Sequence, residues 1–150
     1  MDRRKLGVIG ENLACDWLRQ RGFDIIERNF HCRAGEIDII CRRSRRDISE
    51  VQSQAAFCNV PPSGCCFIEV KMRTSLNFGS GLESLNQTKL MHLRSAAIWW
   101  LQQNGLPHEV FGGLFLLSLD MVEAGCDCSN SVWCQVLKSD FVVNVVEIGV

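Results

Sequence analysis

The spacing of apolar residues predicts two amphipathic helices. In residues 5–21, Leu, Ala and Trp recur at helical spacing and form one apolar stripe, with Glu11 at its edge and Gly22 as a stop signal. A second helix is predicted to begin with a capping box of Ser84 and Gln87 and to end near residue 103, before Asn-Gly.

Between and after these helices the pattern changes to the two-residue alternation of strands. The segments "FDIIERNF", "GEIDIICR" and "CCFIEVKMR" predict three strands, and a fourth is expected near residues 114–122. Because helices and strands alternate along one chain without a second-domain boundary, residues 1–150 are predicted to form a single α/β domain with helices flanking a mixed central sheet.

Two segments interrupt this pattern. Residues 43–64 are long and polar for a strand connection, and are predicted to be a flexible insertion that ends at a Pro-Pro break. From about residue 124 the chain is cysteine-rich and is expected to form an irregular tail, although "VWCQVLKS" and "FVVNVVEIGV" could each add a late strand.

Composition adds modest constraints. The chain is 47% hydrophobic, enough for a core, and its net charge is −1, which alone does not indicate a nucleic-acid-binding protein. Residues 1–46 nevertheless carry a net charge of +4 and residues 47–150 a net charge of −5, so the basic part could meet an anionic partner or be a chance split. Neither a signal peptide nor a membrane span is apparent, so a cytoplasmic protein without a membrane partner is expected, with its nine cysteines mostly reduced core residues.

Charged residues within two of the predicted strands are the candidate chemistry. Asp38 lies in "GEIDII", and Glu69 and Lys71 lie on one face of "FIEVKMR". If the two strands are neighbours, the carboxylates of Asp38 and Glu69 could both bind Mg²⁺ (or Mn²⁺), and the Lys71 ammonium could meet a phosphate oxygen or position a water. This combination suits metal-assisted hydrolysis of a phosphodiester. A structural ion pair on a half-exposed sheet would show the same residues.

The ordered motifs "GVIGENLACDWL", "GEIDII" and "FIEVKMR" resemble those of the YraN-like family of uncharacterised bacterial proteins. That family is similar to the restriction-endonuclease-like nucleases of the PD-(D/E)xK superfamily, whose relatives include archaeal Holliday-junction resolvases. The resemblance runs from about Gly7 to Val122. It implies a restriction-endonuclease-like three-layer fold and a metal-dependent endonuclease acting on DNA, with branched or damaged DNA as candidate substrates. Junction-resolving relatives work as dimers, so a homodimer is a candidate assembly.

The resemblance also implies a role for individual residues. Asp38, Glu69 and Lys71 match the motif itself, and Glu11 matches a first-helix glutamate that can complete the metal site. Glu36 and Asp120 match residues that would support the ligands, and Lys89 matches a basic second-helix residue that would contact phosphate. Ser118 stands where the family has an arginine, and the connection before the third strand is longer than the family's tight hairpin.

Other readings remain open beside this one. Arg42 and Arg43 begin a basic run that could grip the DNA backbone or form a solvated loop. Cys126, Cys128 and Cys134 lack the paired spacing of a zinc site, which makes a zinc-stabilised module a weak alternative. A nuclease-like fold that binds nucleic acid or a protein without cutting is the main alternative to an enzyme.

Overall fold

The computed structural model describes residues 2–44, 55–73, 85–121 and 141–149. Their helices and strands are α1 (Arg3–Gln20), β1 (Phe23–Cys32), β2 (Gly35–Arg43), β3 (Cys65–Arg73), α2 (Gln87–Gln103), β4 (Phe111–Met121) and β5 (Phe141–Gly149). The described strands form one sheet in the order β1-β2-β3-β4-β5, in which β3 and β4 are parallel and the other neighbours are antiparallel. The prediction of a mixed α/β domain is confirmed at this level.

Helix α1 begins at a side-chain cap and ends at a glycine turn. Asp2 accepts a hydrogen bond from the Arg4 backbone N–H at 3.1 Å, and Gly22 follows the helix with φ of 80°. Gly10 lets α1 lie close to β3, since a Cβ at this position would come within 2.9 Å of the Met72 Cβ. The neighbouring Glu11 is therefore held near the sheet.

Helix α2 begins later than predicted. Its N-cap is Asn86, whose side chain accepts from the Lys89 backbone N–H at 2.8 Å. The predicted capping box is therefore wrong at its first position, because Asn86 provides the cap; Ser84 itself lies outside the described residues. The helix ends at Gln103 as predicted, and its buried residues are Leu93, Ala96, Ala97, Trp100 and Leu101.

Two apolar clusters lie on opposite sides of β3. The α1-face core joins α1 to Ile68 and Val70, and the α2-face core joins α2 to Cys65 and Phe67. This confirms the predicted alternation of β3. In β2, however, Ile37 belongs to the α2-face core and Ile39 to the α1-face core, although the two-residue alternation of a strand predicts the same face for both. The alternation is interrupted at the residue between them, where β2 parts from β3.

The connection predicted to be a flexible insertion returns to the core in its second half. Arg43 is the last residue of β2, and Phe57 and Val60 are buried in the α1-face core. The Phe57 ring lies 4.6 Å from that of Phe115 and 4.8 Å from that of Phe23, measured between centroids. Flexibility stays a prediction for residues 45–54, which lie outside the described residues.

The expectation of an irregular tail is wrong for residues 141–149. They form β5, which pairs with β4 from Met121↔Phe141 to Leu114↔Gly149. This is the "FVVNVVEIGV" strand that the sequence left open. "VWCQVLKS" and the three tail cysteines fall outside the described residues.

Neither described helix is long and apolar enough to cross a membrane. The six described cysteines form no disulfide with one another, and four of them, Cys15, Cys41, Cys65 and Cys66, are buried. For these four cysteines the predicted core position is confirmed, while their reduced state stays a prediction.

Candidate functional site

Asp38 marks the point at which β2 and β3 separate. Their pairing ends at Ile39↔Ile68, and the Asp38 Oδ2 then accepts the Val70 backbone N–H at 2.7 Å. A side-chain carboxylate thus satisfies a backbone donor that the ladder leaves unpaired at this point. The same hydrogen bond holds Asp38 beside the middle of β3, as the neighbouring-strand prediction required.

The environment of Asp38 disfavours its charge. Burial, followed by the nearby negative charge of Glu69, raises the pKa of Asp38 to about 6, although the Val70 N–H opposes this. Glu11 on α1 contributes in the same direction. Three acidic residues that are distant in sequence are therefore close enough to influence one another, and a cation among them would relieve the repulsion.

Glu69 is the most deeply buried charged residue of this region. It is 2% exposed, and its Oε1 is 2.6 Å from the Lys71 Nζ and 2.6 Å from the Lys89 Nζ. Lys71 reaches Glu69 from two residues along β3, on the face predicted from the sequence. Lys89 reaches it from the first turn of α2. Two ammonium groups therefore stabilise a carboxylate that burial alone would disfavour.

The second oxygen of Glu69 is different. Glu69 Oε2 is buried and has no hydrogen-bond partner among the described residues. A buried carboxylate oxygen without a partner is rare in native proteins and often indicates an absent water or ion. Together, Glu69 Oε2 and Asp38 offer the one or two carboxylates that Mg²⁺ takes from proteins while keeping several of its waters. Within the described ranges no three His, Cys, Asp or Glu side chains are grouped as a ready-made metal cage.

Lys89 stays charged in this position. Burial works against its charge, but the hydrogen bond and charge of Glu69 outweigh burial, and the pKa of Lys89 is raised. Its side chain also lines an open cavity of about 530 Å³ between the β1–β2 hairpin and the start of α2. The cavity wall includes His31, Glu36 and His92.

Glu11 is held in place by hydrogen bonds from two residues of β1. Its Oε2 accepts from Asn29 Nδ2 at 2.9 Å and from Arg28 Nη2 at 3.2 Å, and its side chain is 15% exposed. Asn29 has φ of 51°, a conformation in which asparagine is favoured over most residues. Glu11 therefore influences Asp38 through its charge, while its side-chain hydrogen bonds are to Arg28 and Asn29.

The described contacts of four other sequence-predicted residues are not to Glu69 or Asp38. Arg42 is four residues along β2 from Asp38, about 13 Å at the usual rise of a strand, and the Arg43 guanidinium donates to the Val60 carbonyl at 2.8 Å. Glu36 is an exposed residue that lies 3.4 Å from His31. Asp120 accepts from Ser118 Oγ at 3.2 Å and from Asn144 Nδ2 at 3.1 Å, and it pairs in register with Arg73.

Sequence reasoning missed several residues that shape the site. It predicted that Lys89 contacts phosphate but not that Lys89 contacts Glu69, and it predicted no role for Arg28 or Asn29. The one available signal was the charged pair within the first strand, "FDIIERNF". The Lys89–Glu69 contact gave no signal, because it depends on how α2 crosses the sheet.

By its fold and site, this is a mixed α/β protein in which two lysines and two carboxylates cluster where β2 and β3 separate. Residues 10–124 match the uncharacterised protein family UPF0102, and the chain belongs to that family. This confirms the YraN-like family expected from the ordered motifs.

Individual relatives carry the same family name. A UPF0102 protein of Caldicellulosiruptor bescii is 33% identical over 132 residues, covering 88% of this chain and 92% of the relative. A second, from Syntrophomonas wolfei, is 37% identical over 99 residues, covering 66% and 70%. A third, from Photobacterium profundum, is 34% identical over 109 residues, covering 73% of each chain.

Proposed function

We propose that the protein is a Mg²⁺-dependent endonuclease that hydrolyses DNA phosphodiester bonds, on a restriction-endonuclease-like fold of the PD-(D/E)xK type. The observation that carries the proposal is Glu69: a glutamate 2% exposed in a central strand, with one oxygen on two lysines and the other without a described partner. Asp38 beside it supplies the second carboxylate. The motif resemblance favours branched or damaged DNA as the substrate and a homodimer as the assembly.

The residues would divide the work by their positions. Asp38 and Glu69 would hold the metal, and Glu11, fixed by Arg28 and Asn29, would add negative charge that favours a cation there. When bound, the metal would stabilise the charge that develops on the phosphate and lower the pKa of the attacking water. Lys71 would orient that water or contact a phosphate oxygen from the same face as Glu69.

One observation favours a second candidate, a nuclease-like protein that binds nucleic acid or a protein without cutting. Glu69 Oε1 already has two ammonium partners, which is what a purely structural charge cluster would require. In that case Lys71→Ala would leave salt-sensitive binding nearly unchanged and there would be no turnover to lose.

The deciding test is cleavage of single-stranded, duplex, flap and four-way-junction DNA in Mg²⁺ or Mn²⁺, with Asp38→Ala and Lys71→Ala alongside. We expect metal-dependent cutting by the unmodified protein and a loss of about 10²-fold or more in each variant. Equal cutting by all three proteins would reveal a contaminating nuclease. Binding without cutting in any lane would favour the non-catalytic candidate.

A further inference from the structure

The motif resemblance predicts that Lys89 contacts phosphate, but in this structure Lys89 contacts Glu69. Lys71 already lies 2.6 Å from Glu69 Oε1, yet the Lys89 Nζ lies at the same distance from the same oxygen. Both lysine side chains are 32% exposed, so each could turn away from Glu69 without being drawn through the core. A carboxylate with one negative charge is thus held by two positive charges.

Counting charges shows what a metal ion would change. With both carboxylates ionised, the charges of Asp38, Glu69, Lys71 and Lys89 sum to zero. Glu11 is paired with Arg28 at 3.2 Å, so the site is electrically balanced without a metal. A divalent cation on the carboxylates would add two positive charges next to two ammonium groups. Like charges a few ångströms apart repel, and the repulsion is stronger in a partly buried site than in water. The balance could then be restored by phosphate groups.

The surroundings of the two lysines differ. Lys71 projects from β3, the strand that also carries Glu69, and its register partner is Ser118. Lys89 projects from α2 and lines the cavity of about 530 Å³. The same wall carries Asn86, Thr88 and His92, side chains that can donate hydrogen bonds to a phosphate. It also carries the Glu36 carboxylate, whose partner is His31 at 3.4 Å. Lys89 therefore stands between Glu69 and a space large enough for part of a nucleic-acid strand.

We propose that Lys89 is a positioning residue that holds Glu69 in the metal-free protein and turns into the adjoining cavity to bind a substrate phosphate when a metal ion takes its place. This inference rests on the proposed function and adds a binding order to it. Lys89 competes with the metal for Glu69, so metal and phosphate assist each other's binding. Such coupling is reciprocal, and it is measurable from either ligand.

The first experiment measures Mn²⁺ binding to the full chain by calorimetry, without DNA. Lys89→Met should bind Mn²⁺ about 5-fold or more tightly than the unmodified protein, because the competing ammonium is gone. Lys89→Arg, which keeps the charge, should restore the weaker binding. Arg94→Met removes one positive charge from an exposed position of the same helix and should leave the affinity unchanged.

The second experiment measures binding of a single-stranded oligonucleotide over a series of salt concentrations. With Ca²⁺ present, Lys89→Met should reduce the slope of log K against log salt by about 1, the value for one lost phosphate contact. Without divalent cations the two slopes should agree, because Lys89 is then engaged with Glu69.

The outcomes separate this inference from the proposed function. Mn²⁺ binding by the unmodified protein, with equal or weaker binding by Lys89→Met, would overturn the role of Lys89 and leave the metal site intact. An absence of Mn²⁺ binding in every variant would remove the metal site and this inference with it. Thermal melting of each variant, compared with Lys89→Arg, excludes an effect that comes only from lost folding.

Discussion

The two faces of strand β3 carry different kinds of side chain. Towards α1, the strand presents Ile68, Val70 and Met72 to a continuous apolar core. Towards α2, it presents Phe67 to an apolar core but then Glu69 and Lys71 to another lysine. Both faces belong to one strand, and both are covered by a helix.

The difference between the two faces begins where β3 stops pairing with β2. Up to Ile68 the strand pairs with both β2 and β4, but beyond Ile68 it pairs with β4 alone. At this departure a side chain, Asp38, satisfies the backbone of Val70, and charged residues replace apolar ones on the α2 face. Gly10 keeps α1 close to β3 at Met72, and the α1 face of β3 stays apolar there. Glu69 and Lys71 form the polar site on the α2 face.

The largest expected effect comes from removing the charge of Glu69. Glu69→Gln keeps the shape of the side chain but removes the carboxylate, so we expect cleavage to fall by about 10³-fold and Mn²⁺ binding to be lost. Single-turnover cleavage and calorimetry would measure the two effects, with Glu109→Gln, an exposed glutamate before β4, as the control. Undiminished cleavage by Glu69→Gln would mean that the α2 face is structural, like the α1 face.

A smaller effect is expected from the opposite face. Ile68 is fully buried in the α1-face core, and Ile68→Ala should lower the free energy of unfolding by about 2 to 5 kcal/mol. Below the melting temperature, the folded variant should still bind Mn²⁺ with unchanged affinity. Denaturant unfolding and calorimetry on the same sample would show whether the faces are separable. A parallel loss of metal affinity would show that they are not.

The smallest effect concerns the cost of keeping Asp38 ionised. Because the pKa of Asp38 is raised to about 6 in the folded protein, the folded state binds a proton more readily than the unfolded state. The stability of the metal-free protein should therefore fall as the pH rises from 3.8, the ordinary pKa of an aspartate, to about 6, and it should stay lower at higher pH. Asp38→Asn should be more stable than the unmodified protein by about 1 to 3 kcal/mol at pH 7.5, with little difference at pH 4.

Urea unfolding in the presence of a chelator, at both pH values, measures this difference. The comparison with Ile68→Ala is direct, because Asp38→Asn should gain stability while Ile68→Ala, in the α1-face core, should lose it. A destabilised Asp38→Asn at pH 7.5 would mean that the carboxylate stabilises the fold through Val70 more than its burial costs.

Much of the fold could be predicted because local patterns agree with the final packing. The alternation in "CCFIEVKMR" is kept in β3 because helices cover both faces, and Gly22 ends α1 by its backbone conformation alone. The pattern failed where tertiary contacts decide. Phe57 and Val60 lie in a polar stretch without periodicity, and their place in the core follows from their burial and from the rings that surround Phe57.

The site could be predicted only along single strands. Glu69 and Lys71 are two residues apart on one strand, so their shared face follows from strand geometry. Lys89 is on another element, and its meeting with Glu69 depends on the crossing of α2 over β3, which no spacing encodes. Arg42 and Arg43 illustrate the converse. They follow Asp38 closely in sequence, but an extended strand carries them away from it.

The buried cysteines make local unfolding of this protein measurable by thiol labelling. Cys65 and Cys66 are adjacent in the chain, yet one belongs to the α2-face core and the other to the α1-face core, and both are fully buried. A thiol reagent reaches such groups only during transient unfolding, while the exposed Cys58 reacts at once. The relative labelling of Cys65 and Cys66 would therefore report, without any engineered probe, which side of the sheet opens first.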